Sequence, residues 1–179
     1  VTLQLQLAQA ADESLIAEFF QFSSGRWYSQ RRYYTLPNGD TKEMVSLLTI
    51  RFLEQGDAEL QQLARLHELS DLDAMSCGAT VSWESQDSVS GRKESRGSTL
   101  FGARGKTLYR DRGFATSRPV IAQYHFPHPK TLHLRTEYND SVFEEEFKLI
   151  GSNYRTRQTV ISRAGEQVMI GQYLERRMG

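Results

Sequence analysis

The sequence predicts an all-β chain: an antiparallel barrel of about ten strands, led by an N-terminal helix and interrupted early by a second, short one. Three observations carry this. Short segments of alternating apolar and polar residues follow one another from Trp27 to the end. The links between many of them are turn sequences of a few residues: "PNGD", "ARGK", "HPK", "ND", "GS" and "AG". Only residues 12–22 and 56–69 show a helical period.

The elements follow in order. Residues 1–11 show no helical stripe and are expected to form a disordered segment ahead of a single domain spanning 12–179. With no basic region and no long apolar stretch, they do not read as a signal peptide. Asp12 is placed to cap a helix whose stripe is Leu15, Ile16, Phe19 and Phe20, and "SSGRW" ends it at Gly25, where a positive φ is expected. Strands are expected at 27–36 and 44–53. The second helix then starts at its cap Asp57, with Leu60, Leu63, Ala64 and His67 on one face. The remaining strands are expected at 78–85, 96–103, 106–110, 119–126, 131–138, 142–150, 153–163 and 166–177. Asn139 and Asp140 read as a hairpin turn rather than as a glycosylation sequon. A meander this long removes its edges by closing, and a barrel of eight to ten strands has room for one small ligand. The expectation is a lipocalin-like calyx.

Composition limits the function. The 179 residues carry 22 Lys+Arg and 22 Asp+Glu, so the formal net charge is zero. This weighs against a nucleic-acid binder, which shows a basic excess. Cys77 is the only cysteine, so no internal disulfide forms; it reads as a small buried side chain. No stretch approaches the ~18 apolar residues of a membrane span. Other motifs are weak. "FGARGKT" lacks the first glycine of a phosphate loop, having Leu100 there. His125, His128 and His133 lie around two prolines without a carboxylate or cysteine cluster, so no metal is expected. No "GxSxG" elbow is present, and no histidine motif accompanies Cys77.

The informative stretch is "NYRTRQT", residues 153–159. Arg155 and Arg157 share one side of the strand. In 142–150 the dry side is Phe143, Glu145, Phe147 and Leu149. If "GS" at 151–152 centres a hairpin, odd positions face odd positions, and both arginines fall near Leu149 and Phe147 on Glu145's side; a slip of one residue would reverse this. Inward charges need partners. Glu145 can neutralise one arginine, which leaves a cation suited to a flat, conjugated, anionic ligand. An outward assignment instead suits a nucleic-acid-binding sheet, with Trp27, Tyr28, Tyr33 and Tyr34 interleaved among arginines.

Several segments, in order across residues 15–178, resemble the S-type (CpcS/CpeS) phycobiliprotein chromophore lyases. They are "FFQFSSGRWYSQR", "GATVSWE", "RGSTL", "LYRDRGFA", "TEYN", "EEEF", "NYRTRQT" and "ERRM". The resemblance implies a ten-stranded lipocalin-like barrel that holds a bilin, such as phycocyanobilin or phycoerythrobilin, as substrate. It implies transfer to a cysteine of a phycobiliprotein α or β subunit by thioether formation, with no further cofactor. It assigns catalysis to Glu145, Arg155 and Arg157, and bilin contacts to these three with Arg31 and Trp83; Tyr33, where the family has histidine, joins the binding set. A homodimer, or a heteromer with a second S-type subunit, would act in a cyanobacterial cytoplasm or a plastid stroma. The alternative is a bilin- or lipid-binding lipocalin without transfer activity, or the partner subunit of a heteromeric lyase.

Overall fold

From Gly25 onward, strands form where the period-two pattern runs, and a helix where it fails. The computed structural model describes residues 2–179, apart from the side chain of Glu94. The order is α1 (Thr2–Ser23), β1 (Gly25–Thr35), β2 (Asp40–Glu54), α2 (Ala58–Leu66), β3 (Cys77–Asp87), β4 (Lys93–Arg104), β5 (Thr107–Arg110), β6 (Val120–His128), β7 (Thr131–Tyr138), β8 (Ser141–Ile150), β9 (Tyr154–Arg163) and β10 (Glu166–Met178). Each strand pairs antiparallel with its chain neighbours, and β10 pairs with β1 to close the barrel. The Asn139–Asp140 hairpin has φ of 52° and 58°, the left-handed geometry of a two-residue primed turn.

The N-terminal expectation needs correction. Val1 lies outside the described residues, but from Thr2 onward the segment expected to be disordered is helical. Leu, Gln and Ala are good helix formers and no breaker intervenes, so the helix extends backward from its packed end. Its apolar residues fall at 3, 5 and 7, which makes no helical stripe, and Leu3, Leu5 and Leu7 stay exposed. Asp12 is therefore mid-helix and caps nothing.

The packed end is the barrel's plug. Ile16, Phe19 and Phe20 are buried in one cluster with Trp27, Leu48 and Leu132. Each buried phenylalanine contributes about 1.5–3 kcal/mol, far more than helix propensity can. Gly25, at φ +120°, then turns the chain into β1. The junction is tied to the last strand. Arg177 Nη1 donates to the Ser24 carbonyl at 2.7 Å, Nη2 to that of Phe22, and Nε to that of Ser152 at 3.1 Å. Trp27 Nε1 donates to the Ser23 carbonyl at 2.8 Å.

α2 packs outside the barrel in a second cluster of Leu53, Leu60, Leu63, Ala64 and Met75. Gly78 and Gly102 face each other across β3 and β4 beneath it. A Cβ on Gly78 would stand 2.1 Å from the Phe101 carbonyl oxygen, and one on Gly102 2.1 Å from the Met75 sulfur, so only glycine permits this approach. Asp57 holds the cap position, but its carboxylate accepts the Glu54 backbone N–H at 2.9 Å and makes no cap bond into the helix. His67 ends the helix rather than lining its face; its Nε2 donates to the Arg110 carbonyl at 2.8 Å.

Candidate functional site

Register decides which side chains meet inside. The pairings Leu149↔Arg155 and Phe147↔Arg157 put both arginines on Glu145's side of the wall, because the turn spans residues 151–153 and centres the pairing on Ser152. Three inward rows result. The deepest runs Ser29, Glu175, Arg155, Leu149; the next Arg31, Tyr173, Arg157, Phe147; the third Tyr33, Gly171, Thr159, Glu145.

Members of all three rows line an open-mouthed cavity of about 280 Å³, with Phe19 and Phe20 of α1 on its floor and Phe114 of the 111–119 link on its wall. All six sequence-predicted residues reach it: Arg31, Tyr33, Trp83, Glu145, Arg155 and Arg157. Trp83 lies over Gly97, where a Cβ would stand 2.7 Å from the indole ring. Tyr33 meets Tyr173 edge to face, ring centroids 5.8 Å apart. Arg155 is 4% exposed, which rules out the open-sheet nucleic-acid reading that needed it in solvent.

The charge arrangement differs from expectation. Arg157 Nη2 donates to Glu145 Oε1, and its guanidinium lies over the rings of Tyr173 and Phe147 at 4.7 and 5.1 Å. Arg155 is not left over. Its Nε donates to Glu175 Oε1 at 2.8 Å and its Nη1 to Ser23 Oγ at 3.0 Å. Glu175 is fully buried and was not foreseen. The buried cavity cation without an ion pair among the described residues is instead Arg110, 8% exposed. "LYRDRGFA" contained it, but β5 is only four residues long, too short for alternation to assign a face.

The electrostatics follow from these contacts. Burial works against the charge on Arg157, but Glu145, then Tyr173 and Glu175, outweigh it and hold the guanidinium above its usual pKa. Burial works against Glu175 too; Arg155 and Arg157 outweigh it and hold the carboxyl below the ordinary range. Burial raises the Tyr173 phenol, which stays neutral at physiological pH. Burial also pushes the Cys77 thiol up to about 11, so it is protonated at neutral pH and no nucleophile. Among the described residues, no group of three or more His, Cys, Asp or Glu is placed to hold a metal ion. No helix among them is long and apolar enough to cross a membrane.

What the arrangement can do is bind a flat, conjugated molecule between aromatic walls, take its anionic groups on guanidiniums, and offer a carboxylate to its N–H groups. Comparison with known proteins narrows this. A relative from a Nostoc species named "Putative phycocyanobilin lyase CpcS 2" is 68% identical over 97% of this chain and 96% of its own. A Picosynechococcus protein named phycocyanobilin lyase subunit CpcS is 31% identical over 83% of this chain and 78% of its own. The solved structure of the S-type phycobiliprotein lyase CPES of Guillardia theta superposes with a TM-score of 0.77 over 97% of both chains, at 19% identity, and so shares the fold. A family model described as CpeS-like protein matches residues 15–178, nearly the whole chain, and the chain belongs to that family.

Proposed function

We propose that this protein is a bilin lyase. It takes a linear tetrapyrrole such as phycocyanobilin or phycoerythrobilin into the barrel and delivers it to a cysteine of a phycobiliprotein α or β subunit, where a thioether forms. The observation that carries this reading is the Arg157–Glu145 pair at the cavity wall, a cation and an acid bonded to each other beside aromatic faces. The names of the relatives point the same way.

The chemistry is an addition with no leaving group. The acceptor's sulfur bonds to the exocyclic ethylidene carbon of the bilin, and its proton ends on the tetrapyrrole. Protonation of the conjugated system makes that carbon more electrophilic. Glu145 binds Arg157 through Oε1 only, leaving Oε2 for the pyrrole N–H groups and favouring their protonated state. Arg157 and Arg31 take a propionate. Arg155, bonded to Glu175 and Ser23, holds the floor beneath them. Trp83 and Tyr33 flank the ring plane. The protein thus acts by positioning the bilin and shielding it from side reactions. Nothing in this scheme uses Cys77. The reaction belongs where phycobiliproteins assemble, in a cyanobacterial cytoplasm or a plastid stroma.

The test is transfer to an apo phycobiliprotein subunit, scored as colour that stays with the acceptor on a denaturing gel. Transfer that persists in Cys77→Ser and vanishes when the acceptor cysteine is replaced is the expected result. A bilin bound but never transferred, under any combination of acceptors, contradicts lyase activity and leaves a bilin-binding lipocalin. Because one relative is named a lyase subunit, the assay includes a second S-type chain. Transfer only in its presence identifies a heteromer; transfer without it allows a monomer or homodimer.

A further inference from the structure

Five arginines line the cavity: Arg31, Arg110, Arg112, Arg155 and Arg157. Two carboxylates neutralise two of them, Glu175 on Arg155 and Glu145 on Arg157. The remaining three make no ion pair among the described residues, and Arg110 is the most deeply buried of them.

Arg110 is held firmly in place. Its residue pairs with Phe101 on one side and Val120 on the other, and its carbonyl accepts from His67. Its guanidinium lies between two aromatic rings, 4.8 Å from the centroid of Phe101 and 4.7 Å from that of Phe114. Phe114 is fixed in turn by stacking on Phe143 at 4.7 Å, and Phe143 on Tyr138 at 5.0 Å. Yet Arg110 Nε is buried with no acceptor among the described residues. The neighbouring carboxylate, Asp111, is engaged elsewhere: its Oδ1 accepts from Thr99 Oγ1 at 2.7 Å and from the Leu100 N–H at 2.9 Å. Two aromatic faces compensate a buried cation only partly, since removing such an ion from water costs more than cation–π contacts return. Glu145 and Asp111 act on this guanidinium only through space; a fork oriented by two rings at a cavity, with no anion bonded to it, is a receptor for one.

We propose that Arg110 receives a carboxylate of the ligand, forming a second anion subsite next to the Arg157–Glu145 pair but not bonded to it. Resting on the bilin reading, this assigns one propionate to Arg110 and the other to Arg157 and Arg31, so the substrate class is a dicarboxylate. The two subsites hold both central propionates at once, and Arg110 is a specificity residue for a dicarboxylate over a monocarboxylate.

The test compares wild type and Arg110→Gln in absorbance titrations with phycocyanobilin and with its dimethyl ester. Loss of one charged hydrogen-bonding partner weakens the free acid about tenfold to a hundredfold, and the ester far less. Equal losses for acid and ester, or none, overturn the proposal while leaving bilin binding intact. A wild type that takes up neither compound ends the bilin reading instead. Arg110 is then judged without bilin, by thermal unfolding in sodium propionate against sodium chloride at equal ionic strength. Propionate raises the Tm of wild type more than that of Arg110→Met, whose empty form melts higher than wild type because a buried unpaired charge is gone. The same propionate response in both proteins contradicts a carboxylate site.

Discussion

Arg155 and Arg157 stand two residues apart on one face of β9, and each is bonded to a glutamate, but the two pairs serve different ends. Arg155 and Glu175 lie under α1, with side chains 5% and 0% exposed, and Arg155 also holds Ser23 of the helix. Arg157 and Glu145 lie one row nearer the mouth, where the Arg157 side chain keeps 19% of its surface. The deeper pair joins the plug to the wall: Glu175 is wholly enclosed, and Arg155, though it lines the cavity, is held by Glu175 and Ser23. The shallower pair lines the cavity, and among the described contacts Arg157 engages only Oε1 of Glu145. Position relative to the plug, not residue type, separates a structural ion pair from one available for chemistry.

The comparison breaks most visibly at Glu175. Glu175→Gln leaves Arg155 buried without its counter-charge, and about 3–5 kcal/mol of stability is expected to go, read as a lower urea midpoint at unchanged m. Glu145→Gln is expected to cost less, because the Arg157 side chain is more exposed than that of Arg155, and to remove the long-wavelength band of bound bilin. If the two variants lose equal stability, the distinction between the pairs fails. Arg157→Ala comes next: bilin affinity falls by about 1.5–3 kcal/mol in an absorbance titration, the value of a charged hydrogen bond.

Acid sharpens the same contrast. The folded carboxyl of Glu175 titrates below its ordinary 4.5, so its stabilising contribution is complete above that value, where both states are ionised. As pH falls below about 4.5 the unfolded chain takes up the proton first, and the contribution shrinks until the folded carboxyl is protonated as well. Urea midpoints measured from pH 6 downward should therefore drop more steeply for wild type than for Glu175→Gln. The smallest effect is expected outside the barrel: removing the exposed partner Glu144 from Arg135 should leave the urea midpoint unchanged within error.

Much of this was legible in the sequence, because a strand's two faces are separated by parity alone. Ser152 centres the β8–β9 hairpin, beside Gly151 at φ +57°, and counting outward from it places Arg155 and Arg157 beside Leu149 and Phe147. Glu175 was hidden by the next hairpin. Near its turn Gln167 faces Ser162, but past a bulge Met169 faces Ile161. Counting from the turn without the bulge would set Leu174 opposite Arg155; the extra residue shifts the strand by one and brings Glu175 inside. Leu174 is accordingly 48% exposed. The extension of α1 was hidden for a different reason. Leu3, Leu5 and Leu7 alternate like a strand and bury nothing, so the helix there follows from propensity alone, which leaves no periodic signal. Arg110 sits on a four-residue strand, where parity has too few positions to act on.

The most direct test of the central claim is one absorbance titration with phycocyanobilin, run on wild type, Glu145→Gln and, as an outward-facing control on the same strand, Glu144→Gln. A red-shifted, intensified band in wild type and Glu144→Gln, lost in Glu145→Gln, is the result expected of an acid that meets the chromophore. The same band in all three proteins would mean that the bilin does not touch the Arg157–Glu145 pair.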